Sequence, residues 1–333
     1  MDRLDYAQGV VMARVYEKKL LDRARLDKMI DAKDADEAFK ILMDTDYAKS
    51  ADGVSGVGDY ELLLKNETAR AFKAGSEMLG GDKRILEILS LKYDYHNLKT
   101  MVKAKVSGKD MDDLFIYSSD NRPDKIKLQF ESGHFTDTKS EFTNALREAE
   151  AKYTDTLDPQ MIDIVMDRAY YNHLSIIAKS LDIDLFNDYV GASIDFYNIS
   201  SMLRAVKMGK STNFLNEILV DGGGISVNKL ISLSREEFDR LAITLKSEKI
   251  GRTLVECIDD YKASGCSLTV VDSMKDVYLS RLNSDSRFIP FGPEPIFAYL
   301  VAKEKEISMI RLILVGKLNK ISSAKLRERL GDI

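Results

Sequence analysis

The stretch MVKAKVSGK at residues 101–109 returns as MLRAVKMGK at 202–210 and as MIRLILVGK at 309–317. The copies begin 101 and then 107 residues apart, which divides the 333-residue chain into near-equal thirds. Apolar residues followed by a glycine–lysine pair are typical of a helix that ends at the glycine, because glycine adopts the left-handed conformation at little steric cost. One copy alone is explained as an ordinary helix end. Three copies at this spacing predict an internally triplicated chain.

The first two copies correspond beyond this pattern. Asn97 and Ala104 of the first copy match Asn198 and Ala205 of the second copy at the same offset. The third copy matches the others only from Ser308 onward. We therefore predict three related helical domains at 1–109, 110–210 and 211–317 and a C-terminal tail at 318–333, with the first two repeats better supported than the third.

The composition predicts an all-α protein. Only five prolines are present, three of them between residues 290 and 295, while good helix formers are plentiful. A glycine pair at Gly80-Gly81 should separate two helices, with Asp82 as the N-cap of the second. The predicted helices include Tyr60 to Met78, the stretch from Asp82 to Gly108, 139–154, 159–181, 184–190, 193–208, 234–247, 250–263, 269–281, Ile296 to Val315, and 322–330.

Charge and hydropathy exclude several classes of partner. Lysine plus arginine number 49 against 54 acidic residues, a net charge of −5, so nucleic acid is not the expected partner. No apolar run reaches the roughly 18 residues that span a bilayer, and the N-terminus lacks a signal-peptide core. We expect a cytoplasmic protein in which Cys257 and Cys266 are reduced and half-buried.

The motifs of common enzymes are missing from the sequence. The glycines at 53–58 follow no strand and have the wrong order for a dinucleotide fingerprint, and no P-loop or nucleophile elbow occurs. The histidines His96, His134 and His173 lie apart and lack the spacing of a zinc site, so His96 and His173 are expected to be hydrogen-bonded structural residues. We predict no catalytic, cofactor or metal site. An all-helical enzyme with a buried acidic cluster stays open as an alternative.

Three cations occupy equivalent places in the repeats, namely Lys103, Arg204 and Arg311. In one interpretation they face a common surface that contacts a partner protein. In the other, which we favour, each packs its stem on a helix end or pairs with a nearby carboxylate.

Several longer segments resemble the C subunit of bacterial and archaeal V/A-type ATPases, the counterpart of the d subunit of eukaryotic V-ATPases. The first is KYDYHNLK at 92–99 followed by MVKAK at 101–105. The second lies near the C-terminus and consists of FGPEP at 291–295, YLVAKEKE at 299–306 and IRLILVGK at 310–317. The third is DYAQGVVMAR at 5–14, near the N-terminus. The resemblance covers nearly the whole chain and departs most around 110–165.

The resemblance implies a fold and a mechanical role. The fold would be three similar helical domains around a pseudo-threefold axis, shaped as a funnel or socket. The protein would be a non-catalytic subunit, peripheral on the cytoplasmic face of the membrane. It would join the central-stalk shaft, made of the D and F subunits, to the membrane rotor ring of proteolipid subunits, with no cofactor and no small-molecule substrate. A helical-repeat scaffold unrelated to rotary motors is the alternative, although repeats near 100 residues are longer than solenoid units.

Overall fold

A computed structural model describes residues 2–117 and 121–330, and within these ranges the chain forms helices and loops without any β-strand. The predicted all-α class is confirmed. Short 3₁₀ turns lie at Arg3–Tyr6, Asp46–Ser50, Val57–Asp59, Asp112–Leu114 and Asp285–Phe288. The α-helices are α1 (Ala7–Glu17), α2 (Arg23–Asp31), α3 (Ala35–Met43), α4 (Tyr60–Met78), α5 (Lys83–Ser107), α6 (Pro123–Ser132), α7 (Ser140–Thr156), α8 (Pro159–Leu181), α9 (Asp184–Lys207), α10 (Thr212–Ile218), α11 (Val227–Leu233), α12 (Phe238–Thr244), α13 (Gly251–Glu256), α14 (Ile258–Ala263), α15 (Leu268–Ser284), α16 (Glu294–Leu318) and α17 (Ser323–Leu330).

The described residues form two compact units, which are taken in turn. The first unit comprises the residues up to Leu86 together with those from Ser286 onward. Its central element is α16, which packs against α1, α2, α3, α4 and α17. Most of α16 is buried, because its apolar residues are spread over much of the helix circumference instead of along one narrow stripe. The core of this unit includes Leu26, Met29, Ile30, Leu42, Leu63, Leu64, Ile310, Ile313, Leu314 and Leu326.

The second unit comprises the described residues of Glu87–Asp285. Helix α8 packs against α7 and α9, and α9 packs also against α15. A contiguous apolar core joins α9 to the short helices α10 to α14 and to the longer helix α15. Its fully buried members include Ile199, Leu230, Leu241, Ala242, Leu245, Ile250 and Leu254. Helices this short are unstable in isolation, so most of them are stabilised by the burial of one or two apolar residues each.

Most predicted helices are present, and the differences have local causes. Helix α4 has the predicted bounds, and Gly80 and Gly81 both adopt positive φ angles of 58° and 95° after it. The predicted break near Gly191 is wrong, because α9 runs through it with buried Val190 and Ala192 on either side. The predicted helix over 250–263 is two short helices that meet at Cys257.

The predicted glycine ends of the first two repeats are confirmed. Helix α5 ends at Ser107, Gly108 has a φ of 64°, and the Lys109 N–H donates to the Ala104 carbonyl at 3.3 Å. Helix α9 ends in the same way. Gly209 has a φ of 65°, and the Lys210 N–H donates to the Ala205 carbonyl at 2.9 Å. These are the bonds of a Schellman cap, which satisfies carbonyls that the helix leaves free.

The predicted end at Gly316 is wrong. Gly316 lies inside α16, where a side chain would meet Leu326 of α17. The left-handed position falls instead at Lys320, with a φ of 56°, and the Ile321 N–H donates to the Gly316 carbonyl at 2.8 Å. The same kind of cap therefore ends α16 about one helical turn later than predicted. The glycine at 316 has a different role, because the contact with Leu326 of α17 requires a small residue there. The division into three similar domains stays a prediction.

Candidate functional site

Two equivalent asparagines fix the connections that follow the first two repeat helices. On α5, the Asn97 side chain donates to the Ile116 carbonyl at 2.8 Å and accepts the Ile116 N–H at 2.9 Å. On α9, Asn198 makes the same pair of bonds with Val220, at 2.8 and 2.9 Å. One carboxamide therefore satisfies both backbone groups of one residue. This shared geometry supports duplication of the first two repeats.

Two aspartates lie one helical turn before these asparagines and bind the next part of each connection. Asp94 accepts a hydrogen bond from the Asn121 side chain at 2.9 Å. Asp195 accepts the backbone N–H groups of Gly224 and Ile225 at 2.9 and 3.0 Å. Only the asparagines were matched from the sequence, although these aspartates too are 101 residues apart. Their spacing, which equals that of the two asparagines, was the signal that could have identified them.

Asp195 is a buried carboxyl group whose ionisation should affect stability. Burial raises its pKa to about 6 from an ordinary 3.8, and this outweighs the lowering by the two backbone N–H groups. Between these two pH values the folded protein binds more protons here than the unfolded chain does. The stability that the folded protein gains from protonated Asp195 is therefore fully present below about pH 3.8. It is lost as the pH rises through about 6.

We expect this loss to disappear in the Asp195→Asn variant, which cannot ionise at this position. Urea unfolding of both proteins between pH 4 and pH 8 gives the free energy of unfolding. The wild type should lose stability relative to the variant as the pH rises. A difference between the two proteins that does not change with pH would contradict the prediction.

A buried ion-pair network lies in the first unit, centred on Lys303 of α16. The Lys303 Nζ is 2.6 Å from carboxylate oxygens of both Glu67 on α4 and Glu306 on α16. Arg70 binds Glu67 through two nitrogens at 2.7 and 2.8 Å, and the Tyr47 hydroxyl donates to Glu306 at 2.8 Å. Two cations thus balance two carboxylates, which is the condition under which buried charge is tolerated.

The network also satisfies the remaining oxygen atoms of its carboxylates. The Ser50 hydroxyl donates to Glu67 at 2.6 Å, and the Leu21 backbone N–H donates to Glu306. Burial by itself would raise the pKa of Glu67, but Arg70 and Lys303 outweigh it and hold that pKa below its usual value. Lys303 and Glu306 belong to the 299–306 motif, so one function of that motif is to join α16, α4 and the segment around Leu21.

The three candidate contact residues have different surroundings. In the second unit, Lys103 pairs with Asp163 of α8 at 2.8 Å. In the first unit, Arg311 pairs with Glu61 of α4 at 2.9 Å. Arg204, on the last turn of α9, is exposed and has no ion pair within the described part of the chain. A role of these residues in partner contact stays a prediction.

The histidines have mostly structural surroundings. His173 is buried, with its Nδ1 3.4 Å from the Tyr95 hydroxyl, and burial lowers its pKa. His96 contacts the Leu114 carbonyl through Nε2 at 3.2 Å. The predicted hydrogen-bonded roles of His96 and His173 are confirmed. Exposed His134 contacts the nearby Ser132, with its Nδ1 2.8 Å from the Ser132 carbonyl oxygen and its backbone N–H 3.4 Å from the Ser132 hydroxyl.

Both cysteines are free thiols. Cys257 is half-buried as predicted, whereas Cys266 is exposed, so the prediction is wrong for Cys266. Across residues 2–117 and 121–330, no group of three or more histidine, cysteine or acidic side chains is arranged to hold a metal ion. None of the described helices is both long enough and apolar enough to span a membrane.

Comparison with known proteins identifies the family. The family model described as ATP synthase (C/AC39) subunit matches residues 10–329. The C subunit of the V-type sodium ATPase of Enterococcus hirae is 25% identical over 331 residues, covering 99% of both chains. The C subunit of the A-type ATP synthase of Methanocaldococcus jannaschii is 24% identical, covering 99% of this chain and 87% of its own. The C subunit of the A-type ATP synthase of Pyrococcus horikoshii is 24% identical, covering 98% of this chain and 90% of its own. Since the family model matches nearly the whole length, this chain belongs to the ATP synthase (C/AC39) subunit family.

Proposed function

We propose that this chain is the non-catalytic central-stalk subunit of a rotary V/A-type ATPase. It couples the shaft of the D and F subunits to the membrane rotor ring and transmits torque for proton or sodium transport. The observation that carries the proposal is the family match over residues 10–329, together with relatives named as C subunits of such machines. The proposal also places the chain on the cytoplasmic face of the membrane, as three similar domains around a pseudo-threefold axis.

The internal construction of each unit suits a part that transmits force. The first unit is built around a 25-residue helix that is mostly buried, with Lys305 and Ser308 exposed, and a neutral buried ion network joins this helix to α4. In the second unit, the asparagine and aspartate bonds fix the connections after α5 and α9. A torque-transmitting subunit must also hold its partners firmly, and permanent interfaces commonly bury about 2,000 Å² or more. Lys103, Arg204 and Arg311 are the proposed contact residues.

The proposal is tested by binding to the two partners. Purified chain is expected to co-purify with the D–F shaft and with detergent-solubilised rotor ring at low salt, each bait being run alone as a control. Reconstituted complex should show ATP-driven ion transport only when the chain is present, because otherwise rotation of the shaft does not reach the ring. If the chain binds neither partner, the rotary role is wrong and a helical-repeat scaffold unrelated to rotary motors becomes the better explanation.

A further inference from the structure

The glycine–lysine pair at 316–317 differs from the other two pairs in what it contacts. Gly108 and Gly209 follow the ends of their helices, whereas Gly316 lies inside α16 and packs against Leu326 of α17. A side chain at 316 would overlap Leu326, so glycine lets α17 lie close to α16. Of the described residues of α17, Leu326 alone is buried, and it belongs to the apolar core of the first unit. Leu326 is therefore the anchor that holds α17.

Lys317 and α17 reach the C-terminal end of α2, which lies near the start of the chain. The Lys317 Nζ donates to the Ala32 carbonyl at 2.6 Å, and the Ser323 hydroxyl donates to the Ile30 carbonyl at 2.7 Å. These partners are 285 and 293 residues apart in the sequence. Carbonyl groups in the last turn of a helix have no partner within that helix. The two side chains therefore cap α2 from the opposite end of the chain.

An ion pair at the surface completes the contact between α17 and α2. The Arg327 Nη2 lies 2.7 and 2.6 Å from the two carboxylate oxygens of Asp31. Both side chains are partly exposed, so water screens the pair and its contribution to stability is small. The buried leucine and the capping bonds account for most of the contact. We call α17 and these contacts to α16 and α2 the C-terminal clasp.

The connection between α16 and α17 is built as a hinge. Lys320 has a φ of 56°, a left-handed conformation at which the chain changes direction. The Lys320 N–H donates to the Lys317 carbonyl at 3.0 Å, and the Ile321 N–H donates to the Gly316 carbonyl at 2.8 Å. These backbone bonds involve α16 and not α2. They can therefore persist while α17 moves away from α2.

We infer that the C-terminal clasp is a conformational device, in which α17 undocks from the folded protein as one piece and thereby releases the last turn of α2. Segments with few buried contacts open at a free energy below that of global unfolding, and α17 depends on one buried anchor within the described part of the chain. Undocking takes Ser323 away from the Ile30 carbonyl and Arg327 away from Asp31, so α2 loses both contacts at once. This inference does not depend on the proposed rotary role.

Native-state hydrogen exchange on the full chain, followed by mass spectrometry, tests whether α17 and α2 open together. Exchange rates measured at low denaturant concentrations give the opening free energy of each segment. In the wild type, peptides from α17 and from the last turn of α2 should show the same opening free energy, below that of α4. This comparison needs no substitution, so it holds even if a variant fails to fold.

Two neighbouring substitutions in α17 provide the second test. Leu326→Ala removes the buried anchor, whereas Lys325→Ala shortens an exposed side chain of the same helix. Leu326→Ala should speed exchange by at least about tenfold in both α17 and the last turn of α2, because truncation of a buried leucine weakens packing by more than that factor. Lys325→Ala should leave both rates within about twofold.

Three outcomes would overturn the inference. If α17 opens while the last turn of α2 stays protected, the two segments are not coupled. If α17 exchanges only together with α4, it does not undock as a separate piece. If Leu326→Ala speeds exchange in α17 and not in α2, the C-terminal clasp does not hold α2. Equal opening free energies in the wild type and parallel acceleration in Leu326→Ala support the inference.

Discussion

Replacing Lys303 by methionine is expected to lower the free energy of unfolding by about 3–5 kcal/mol. Methionine fills much of the same space but supplies no charge. Glu67 retains Arg70. Among the residues that the structure describes, Glu306 retains only the Tyr47 hydroxyl and the Leu21 N–H, so one buried negative charge is left without compensation. Urea unfolding followed by circular dichroism measures the change.

The control for this prediction lies two residues away. Lys305 is exposed on the same helix, and Lys305→Met should change stability by no more than about 0.5 kcal/mol. Adding Glu306→Gln to Lys303→Met removes the stranded charge, so the double variant should regain part of the lost stability. Equal effects of the Lys303 and Lys305 substitutions would show that the buried network does not hold the first unit together.

Asn198→Leu is expected to lower the free energy of unfolding by about 2–6 kcal/mol. The substitution leaves the buried N–H and carbonyl groups of Val220 without partners, and each lost bond costs about 1–3 kcal/mol. Leucine is of similar size, so little packing is lost. The cost therefore reports the two hydrogen bonds and not a cavity. Chemical denaturation at neutral pH gives the value.

The equivalent residue of the first repeat provides a matched comparison. Asn97→Leu removes the same two bonds, but Ile116 is half-buried whereas Val220 is buried, so water can reach the abandoned groups. We expect a smaller loss of stability for Asn97→Leu than for Asn198→Leu. The reverse order would mean that the two connections are not held by equivalent bonds.

Local features could be predicted from the sequence because their causes lie within a few residues. Sparse proline and abundant helix formers indicate an all-α chain, and the Gly80-Gly81 pair ends α4 where expected. The ends of α5 and α9 at Gly108 and Gly209 follow from glycine's access to positive φ, which needs no tertiary contact. Matching Asn97 with Asn198 identified a shared position, although the bonds these residues make were not foreseen.

The candidate site was less predictable, because charged residues acquire their roles from distant partners. Lys103 and Arg311 have carboxylate partners on other helices, Asp163 and Glu61, and nothing in the local sequence indicates which carboxylate will be near. Arg204 occupies the equivalent repeat position yet remains unpaired within the described residues.

By itself, the sequence determined the helical class, the ends of two repeat helices and the family resemblance, since propensity, glycine capping and motif spacing act along the chain. Only the tertiary structure decided that Gly316 lies inside a helix, because Leu326 packs against it. The same holds for the Lys303 network, whose partners Glu67 and Tyr47 lie more than 230 residues away along the chain. Burial and charge pairing depend on proximity in space, which the order of residues encodes only through the complete fold.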